Sequence, residues 1–332
     1  MVTVLVVGGA GYIGSHTVQE LSKTNCRIVV VDDLSTGHLA ATKFADSFYQ
    51  ADIIQIEQLR TVFLNEKPDV IFHFAAKLSV PESCDKPYEY FDTNVLGTAN
   101  ILKLCAEYNV KKFIFSSSVS VYGEGLSGIV KEEDLKKPIS HYGLTKKMAE
   151  DLIVHHSQVW PDFKFKLLRY ANVSGAPADL SNGPLNWYTG QLVHNLCRSA
   201  LTQSVVKVFG NEFQTKDGTC VRDYIHVCDL ADAHIKAYQS LNDEKSSKVW
   251  NCSYGKGFTV LEVIRAFEEA NKLKFDIQYC EPRKGDPALI MTSNHKIKTE
   301  SSWSPRYDDI YQICKSTFDW ALTQQPINLS RN

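Results

Sequence analysis

The sequence has little that would place it on a membrane, on nucleic acid or around a metal. No apolar run approaches the roughly 18 residues of a membrane-spanning helix. The stretch Met1 to Val7 is apolar but breaks at Gly8-Gly9, with no basic leader or cleavage site, so it reads as a strand and not as a signal peptide. An excess of one charge is missing too: 36 Lys+Arg stand against 38 Asp+Glu, a formal net charge of −2. Neither a nucleic-acid groove nor a membrane surface follows from that balance, and any phosphate ligand must be held by local groups. The nine cysteines show no CxxC spacing and the ten histidines no HExxH pair, which predicts scattered reduced thiols and no metal site. There is no internal repeat and no low-complexity tract. Together these absences predict a cytoplasmic protein.

What is present is alternation. Strand-like runs at Val2 to Val7, Arg27 to Val31, Asp69 to Phe74, Lys112 to Phe115 and Phe165 to Leu168 are separated by helical patterns at Tyr12 to Leu21, Ile56 to Leu64, Thr93 to Tyr108 and Tyr142 to Val154. Regular strand-helix alternation predicts an α/β fold with a doubly wound, Rossmann-like parallel sheet. Beyond Asn172 the order loosens, with loops rich in Gly, Pro, Ser and Asn, then helical patterns at Leu185 to Leu201, Val227 to Leu241, Thr259 to Asn271 and Asp308 to Leu322. The expected division is residues 1–173 as the doubly wound domain and 174–332 as a smaller α/β substrate domain. The chain is free to cross back between them.

Directly after the first strand comes Gly8-Gly9-Ala10-Gly11-Tyr12-Ile13-Gly14, followed by a helical pattern. Glycines there permit a tight turn and a close backbone approach to a pyrophosphate lying on the helix N-terminus, so a dinucleotide is expected. The second strand ends in Val31-Asp32-Asp33, where a carboxylate can accept from the adenosine ribose hydroxyls. It would repel a 2′-phosphate, and Leu34-Ser35-Thr36-Gly37 supply no nearby Arg to offset that. NAD is expected and NADP excluded. Asp52 is a candidate for the adenine amino group, with a solvated turn carboxylate as the rival reading.

Tyr-x-x-x-Lys, which sets a phenol and an ammonium on one helical face, occurs at Tyr108/Lys112, Tyr142/Lys146 and Tyr311/Lys315. Context favours Tyr142, because the strand Phe113 to Phe115 ends in Ser116-Ser117-Ser118, and strand carboxyl ends face the ligand crevice in such sheets. A free Tyr has a pKa of about 10, so acting as a base near neutrality needs a shift of roughly 3 units, about 4 kcal/mol. Lys146 and a positive nicotinamide are the expected sources.

The strings VVGGAGYIGSH, HFAA, NVLGT, FSSSVSVYG, YGLTK, LLRYANVSGA, GTCVRDYIHVCDLADAH and PRKGDPA resemble, in order and from end to end, those of UDP-glucose 4-epimerases, extended short-chain dehydrogenases/reductases. The resemblance implies a reaction in which Tyr142 takes the sugar 4-hydroxyl proton while the C4 hydride passes to NAD. The 4-keto sugar then turns over and takes the hydride back on its other face. It implies Lys146 as electrostatic partner of Tyr142 and ribose ligand, and Ser118 as the hydroxyl on the sugar O4. Cofactor contacts are implied for Gly8, Gly11, Tyr12, Ile13, Gly14, Asp32, Asp33, Ser35, Thr36, Gly37, Asp52, Ile53, Phe74, Ala75, Ala76, Asn94, Tyr142, Lys146 and Ala171. Substrate contacts are implied for Ser118, Tyr142, Asn172, Arg222, Arg283, Asp286 and Ile290, the two arginines holding the diphosphate of UDP. A homodimer through Thr93 to Tyr108 and Tyr142 to Val154 is implied as well.

The departures from that pattern bear on specificity. Ala171 stands where Phe is usual, Asn186 to Gln191 match poorly, and Ser140-His141 replace the usual Asn-Pro, with His141 read as loop and not as a base. The resemblance implies that Ile290 walls the sugar 2-substituent, at a position where in such enzymes a bulky residue goes with plain hexoses and a small one admits N-acetylated sugars. The expected substrates are UDP-glucose and UDP-galactose, with UDP-N-acetylglucosamine or UDP-pentoses as alternatives. A 4,6-dehydratase would carry Asp-Glu after Ser118, and a decarboxylase a Glu in that region; Val119-Ser120 stand there instead. A non-catalytic NAD sensor would have lost the Ser118, Tyr142 and Lys146 set.

Overall fold

The computed structural model describes residues 1–124, 128–243, 248–283 and 285–324, so the end of the 174–332 region, residues 325–332, lies outside the described residues. Seven parallel strands form the main sheet, in the order Val249–Cys252, Lys164–Tyr170, Lys112–Ser116, Val70–His73, Val2–Val7, Cys26–Asp32, Ser47–Gln50. These strands are apolar on both faces, as a parallel sheet covered on two sides requires. Leu5, Val7, Val29, Val31, Phe113 and Phe115 pack against helices Ile56–Glu66, Gly97–Glu107 and His141–Val159, with Phe63, Ile101 and Ile153 among their partners. Val4, Val6, Ile28, Val30 and Ile114 face the opposite way, onto helices Tyr12–Leu21 and Val227–Gln239 through Val18, Leu21, Leu230 and Ala233. The doubly wound sheet predicted from alternation is thus the observed fold.

The strand order reverses between Val2–Val7 and Val70–His73, and at such a switch point the loops at the carboxyl ends splay apart to leave a crevice. Facing it is a second layer around Val221–His226, which pairs with Asn172–Ser174 and Leu289–Thr292 in parallel and with Gly257–Thr259 antiparallel. Two later segments return to the first sheet: the helix Val227–Gln239 covers one face, and Val249–Cys252 adds the edge strand beside Lys164–Tyr170.

One helix differs from the periodicity reading. The pattern from Leu185 yields helix only over Leu192–Thr202, because Asn186 Oδ1 accepts the Tyr188 N–H at 2.9 Å and Gly190 takes φ +76°, which holds the preceding residues in turns. Ser47–Gln50, an edge strand with no fully buried residue, carried too little apolar signal to be read as a strand. His141 is the exposed first residue of a helix, not loop. Among the described residues all nine cysteines are free thiols, no helix is long and apolar enough to cross a membrane, and no His/Cys/Asp/Glu group could hold a metal ion.

Candidate active site

A cleft of about 1570 Å³ runs from the first strand-helix turn, past the strand-end serines, to the strand Val206–Phe209, which pairs with Ile277–Cys280 in a separate two-stranded sheet. At one end the turn after Val7 is shaped by Gly8, with φ +82°; a Cβ there would lie 2.4 Å from the Ala75 nitrogen. The helix Tyr12–Leu21 begins at Gly11 with no side-chain cap and no acidic residue in its first turn. Its leading N–H groups and positive dipole end therefore face the cleft as an anion cradle, which fits a pyrophosphate.

Asp32 closes the second strand. Its Oδ2 accepts the Ala10 N–H at 3.0 Å and its Oδ1 the Leu34 N–H at 2.9 Å. Burial raises its pKa, and those backbone donors oppose the rise. Asp33 turns onto the N–H and hydroxyl of Ser35, and Asp52 Oδ1 accepts the Ile54 N–H at 2.9 Å; both line the cleft, as do Thr36, Ile53, Phe74, Ala75 and Ala76. Gly37 and Asn94 do not. Gly37 backs onto Asp32, where a Cβ would lie 2.7 Å from Oδ1. Asn94 is buried one layer behind the wall, its Oδ1 accepting the Lys77 N–H and its Nδ2 donating to the Lys77 carbonyl and to Thr145 Oγ1. It shapes the wall without being part of it.

In the middle of the cleft Ser118, Tyr142 and Lys146 come together. Ser140 caps the helix His141–Val159 by accepting the Gly143 N–H, and Ser83 Oγ accepts the Tyr142 N–H at 3.1 Å. Gly143 lets that helix meet the serine turn closely, since a Cβ would lie 2.5 Å from the Ser120 carbonyl oxygen. Lys146 is buried and donates to the Ser116 carbonyl at 2.9 Å. Enclosure pushes the Tyr142 phenol up to about 12, with its hydrogen bond to Ser118 pulling the other way. Burial brings the Lys146 ammonium down to about 7, opposed by Glu150. The other two Tyr/Lys pairs lie elsewhere: Tyr108 caps a helix at the opposite end of the strands and Tyr311 is exposed.

At the far end Arg222, from Val221–His226, is ion-paired with Asp286, and the Arg283 guanidinium stacks 4.1 Å over the Phe209 ring. Asn172 donates through Nδ2 to the Asp223 carbonyl at 3.3 Å. Ile290 is buried with Val119, Val121, Tyr122 and Val130, with Ala171 packed against this group, and both Ile290 and Ala171 reach the cleft. The sequence alone does not point to several lining residues, among them Phe209, and Arg198 stacked 5.0 Å over Tyr188. Phe209 ends an alternating strand, a signal that was available; the Arg198–Tyr188 pair depends on how the 185–191 turns fold and left no pattern.

This arrangement defines the chain as a doubly wound α/β protein with its ligand cleft at the strand carboxyl ends and a Tyr/Lys pair on the cleft wall. Comparison with known proteins takes the assignment further. Residues 4–253 match the NAD dependent epimerase/dehydratase family, and the chain belongs to that family. It is 39% identical over 319 residues to a UDP-glucose 4-epimerase of Lacticaseibacillus casei, covering 96% of each chain. Its fold is similar to that of the UDP-Glc/GlcNAc 4-epimerase of Campylobacter jejuni, with TM-score 0.82, 39% identity and coverage of 97% of this chain and 100% of that one. It is also similar to a UDP-glucose 4-epimerase of Bifidobacterium longum in complex with NAD+ and UDP, with TM-score 0.91, 32% identity and coverage of 98% and 99%.

Proposed function

We propose that this chain is an NAD-dependent isomerase that interconverts UDP-glucose and UDP-galactose through a transient 4-keto sugar. The observation that carries the reading is the convergence of Ser118, Tyr142 and Lys146 in the one cleft that is also lined by the anion cradle at Gly11 and by Arg222 and Arg283. When bound, NAD supplies reversible acceptance of the C4 hydride. Tyr142 removes the 4-hydroxyl proton and returns it, and Ser118 holds O4 in line with the phenol. A phenol at about 12 stays protonated at neutral pH and is not available as a base. The Lys146 ammonium, fixed on the Ser116 carbonyl, favours the phenolate, and a positive nicotinamide adds to it. Val119-Ser120 place no carboxylate directly after Ser118, where a 4,6-dehydratase would carry the acid of its elimination.

Asp32 selects NAD over NADP. Arg222 and Arg283 hold the diphosphate, and the flat Phe209 face suits a pyrimidine. Residues 1–173 carry the dinucleotide and 174–332 the nucleotide sugar, apart from the helix and edge strand that return to the first sheet. The exposed Leu96, Leu144, Met148 and Val154 on and beside the helices Gly97–Glu107 and His141–Val159 support a homodimer through those helices. The free cysteines support a cytoplasmic location.

The test is to incubate the purified protein with UDP-galactose without added NAD, stop the reaction, and only then read the UDP-glucose formed by coupled oxidation in a second step that brings its own NAD; the cofactor of a separate sample is extracted and compared with standards. Conversion with NAD recovered is expected. No conversion even with NAD supplied would reject the epimerase, and recovery of mainly NADP would reject the role of Asp32.

A further inference from the structure

Behind the cleft wall lies a buried ion pair that the mechanism above does not use. Glu150 stands one helical turn beyond Lys146 and two beyond Tyr142, fully enclosed. Its Oε1 accepts from Ser117 Oγ at 2.6 Å and from Arg169 Nε at 2.8 Å. Its Oε2 accepts from Arg169 Nη2 at 2.7 Å and Lys136 Nζ at 3.2 Å. Arg169, also buried, donates through Nη1 to the Tyr122 hydroxyl at 2.7 Å and to the Glu132 carbonyl at 3.1 Å. The Tyr122 hydroxyl donates to Asn251 Oδ1. One charged pair thus ties together the helix bearing Tyr142 and Lys146, the strand end bearing Ser116 to Ser118, and the turn that follows. Desolvation makes such a pair a weak way to stabilise a fold compared with apolar packing, so its place beside the reacting groups needs another account.

We propose that Glu150, held by Arg169, is a positioning residue for the acid/base chemistry: through Ser117 it fixes the strand end that carries the Lys146 acceptor and Ser118, and its charge supports the Lys146 ammonium. The surroundings of Lys146 leave that task to Glu150. The Phe115 ring lies 4.9 Å from Nζ. His73, on the neighbouring strand, is held neutral by burial, with a pKa of about 3. Tyr170, from the strand Lys164–Tyr170, is a phenol engaged with Ser116 Oγ, and Tyr142 is the reacting phenol itself. Among the described residues Glu150 is the carboxylate that acts on Lys146, while Arg169 and Lys136 flank it on other sides. Without it the ammonium loses its proton more readily, and the Tyr142 phenolate loses its support.

The inference rests on the epimerase reading, and its test keeps the two apart. Glu150→Gln preserves shape and an acceptor for Ser117 but removes the charge. In the cofactor-loaded protein kcat is expected to fall roughly tenfold to a hundredfold with KM for UDP-galactose within about twofold, because a proton-transfer group is weakened and no substrate contact is lost. Ultraviolet difference titration of the cofactor-loaded protein against a Tyr142→Phe background, where the nicotinamide charge brings the phenol into the range in which Lys146 is still protonated, should show the Tyr142 phenol ionising about one pH unit higher. Glu150→Asp, which keeps the charge, should recover part of both. The charge-neutral double variant Glu150→Gln/Arg169→Met should regain thermal stability and recover neither kcat nor the titration. Wild-type kcat and titration in Glu150→Gln would overturn the inference, as would a double variant that regains kcat along with stability; if Glu150→Gln does not fold, the Asp and double variants decide. Absence of epimerisation in the wild type would sink the epimerase reading alone, since the phenol titration reports on Glu150 regardless.

Discussion

The two ends of the cleft are built on different principles. At the reacting end every group sits on a long regular element or its immediate terminus: Ser118 just past Lys112–Ser116, Tyr142 and Lys146 on the 19-residue helix His141–Val159, all tied by buried hydrogen bonds. At the nucleotide end Arg283 and Asp286 come from irregular chain, Phe209 from a strand of a two-stranded sheet, and Tyr188 from the turns before Leu192–Thr202. Sites on packed helices and strands hold geometry to fractions of an ångström, as proton transfer needs, whereas a nucleotide tolerates a softer grip. Substitutions at the first end should therefore strike kcat, and those at the second KM.

The largest effect is expected for Tyr142→Phe, which removes the proposed proton-transfer group and little else. Turnover should fall by about 10²- to 10⁴-fold or beyond detection, with NAD content and UDP affinity nearly unchanged. Ser118→Ala should be milder. Steady-state kinetics with cofactor extraction and UDP titration check both, and near wild-type turnover in Tyr142→Phe would mean that another base carries the reaction.

The same contrast explains what could be read without a structure. Tyr12–Leu21 and Val2–Val7 were legible to the residue because period and burial agree there. The choice of Tyr142 among three Tyr/Lys pairs came from the strand-end serines, and the structure sets Ser118 and Tyr142 side by side while Tyr108 sits at the far end of the sheet. What stayed illegible depends on contacts distant in sequence. Asn94 looks like a wall residue in a string of letters, yet its amide is consumed by Lys77 and Thr145 behind the wall. The stacking of Arg283 on Phe209 joins segments some 70 residues apart, on the order of half a small domain, and periodicity carries no trace of it. The turns at 185–191 defeated the helix reading because Asn186 and Gly190 override an apolar pattern.

A middle-sized effect sharpens the comparison at the nucleotide end. Among the described residues the Arg283 guanidinium contacts the Phe209 ring, so Arg283→Ala removes one charge, whereas Arg222→Ala would also break the ion pair with Asp286 and confuse the result. Loss of a charge-assisted contact to a diphosphate is worth about 1.5–3 kcal/mol, so KM for UDP-galactose and the inhibition constant of UDP should each rise by about 10- to 100-fold with kcat held within a few-fold. A fall in kcat with KM unchanged would show that the far end also sets the chemistry, and the division drawn here would fail.

The smallest effect concerns the wall between the two ends, where Ile290 lies in register with Arg222 on the neighbouring strand. Ile290 has two roles at once: it packs with Val119, Val121, Tyr122 and Val130, and it faces the cleft beside Ala171. The first role means that Ile290→Ser loses apolar contacts and some stability, though water entering from the cleft limits the cavity cost. The second means that the same substitution opens space in the cleft, at the proposed place of the sugar 2-substituent. A hydrophobic wall that differs by a methylene or two discriminates by only about 1–3 kcal/mol, so preference for the plain hexose pair is expected, not strict exclusion of the N-acetyl pair. Comparing kcat/KM on both UDP-sugar pairs, wild type against Ile290→Ser, should show the N-acetyl pair gaining by about tenfold or more relative to the plain pair. Ala171→Phe, which refills the space next to Ile290, should move the ratio the other way. If the wild type turns over both pairs equally, Ile290 is no gatekeeper; if Ile290→Ser brings no gain while Ala171→Phe shifts the ratio, the wall that selects the sugar is built on Ala171 and Ile290 is only its packing.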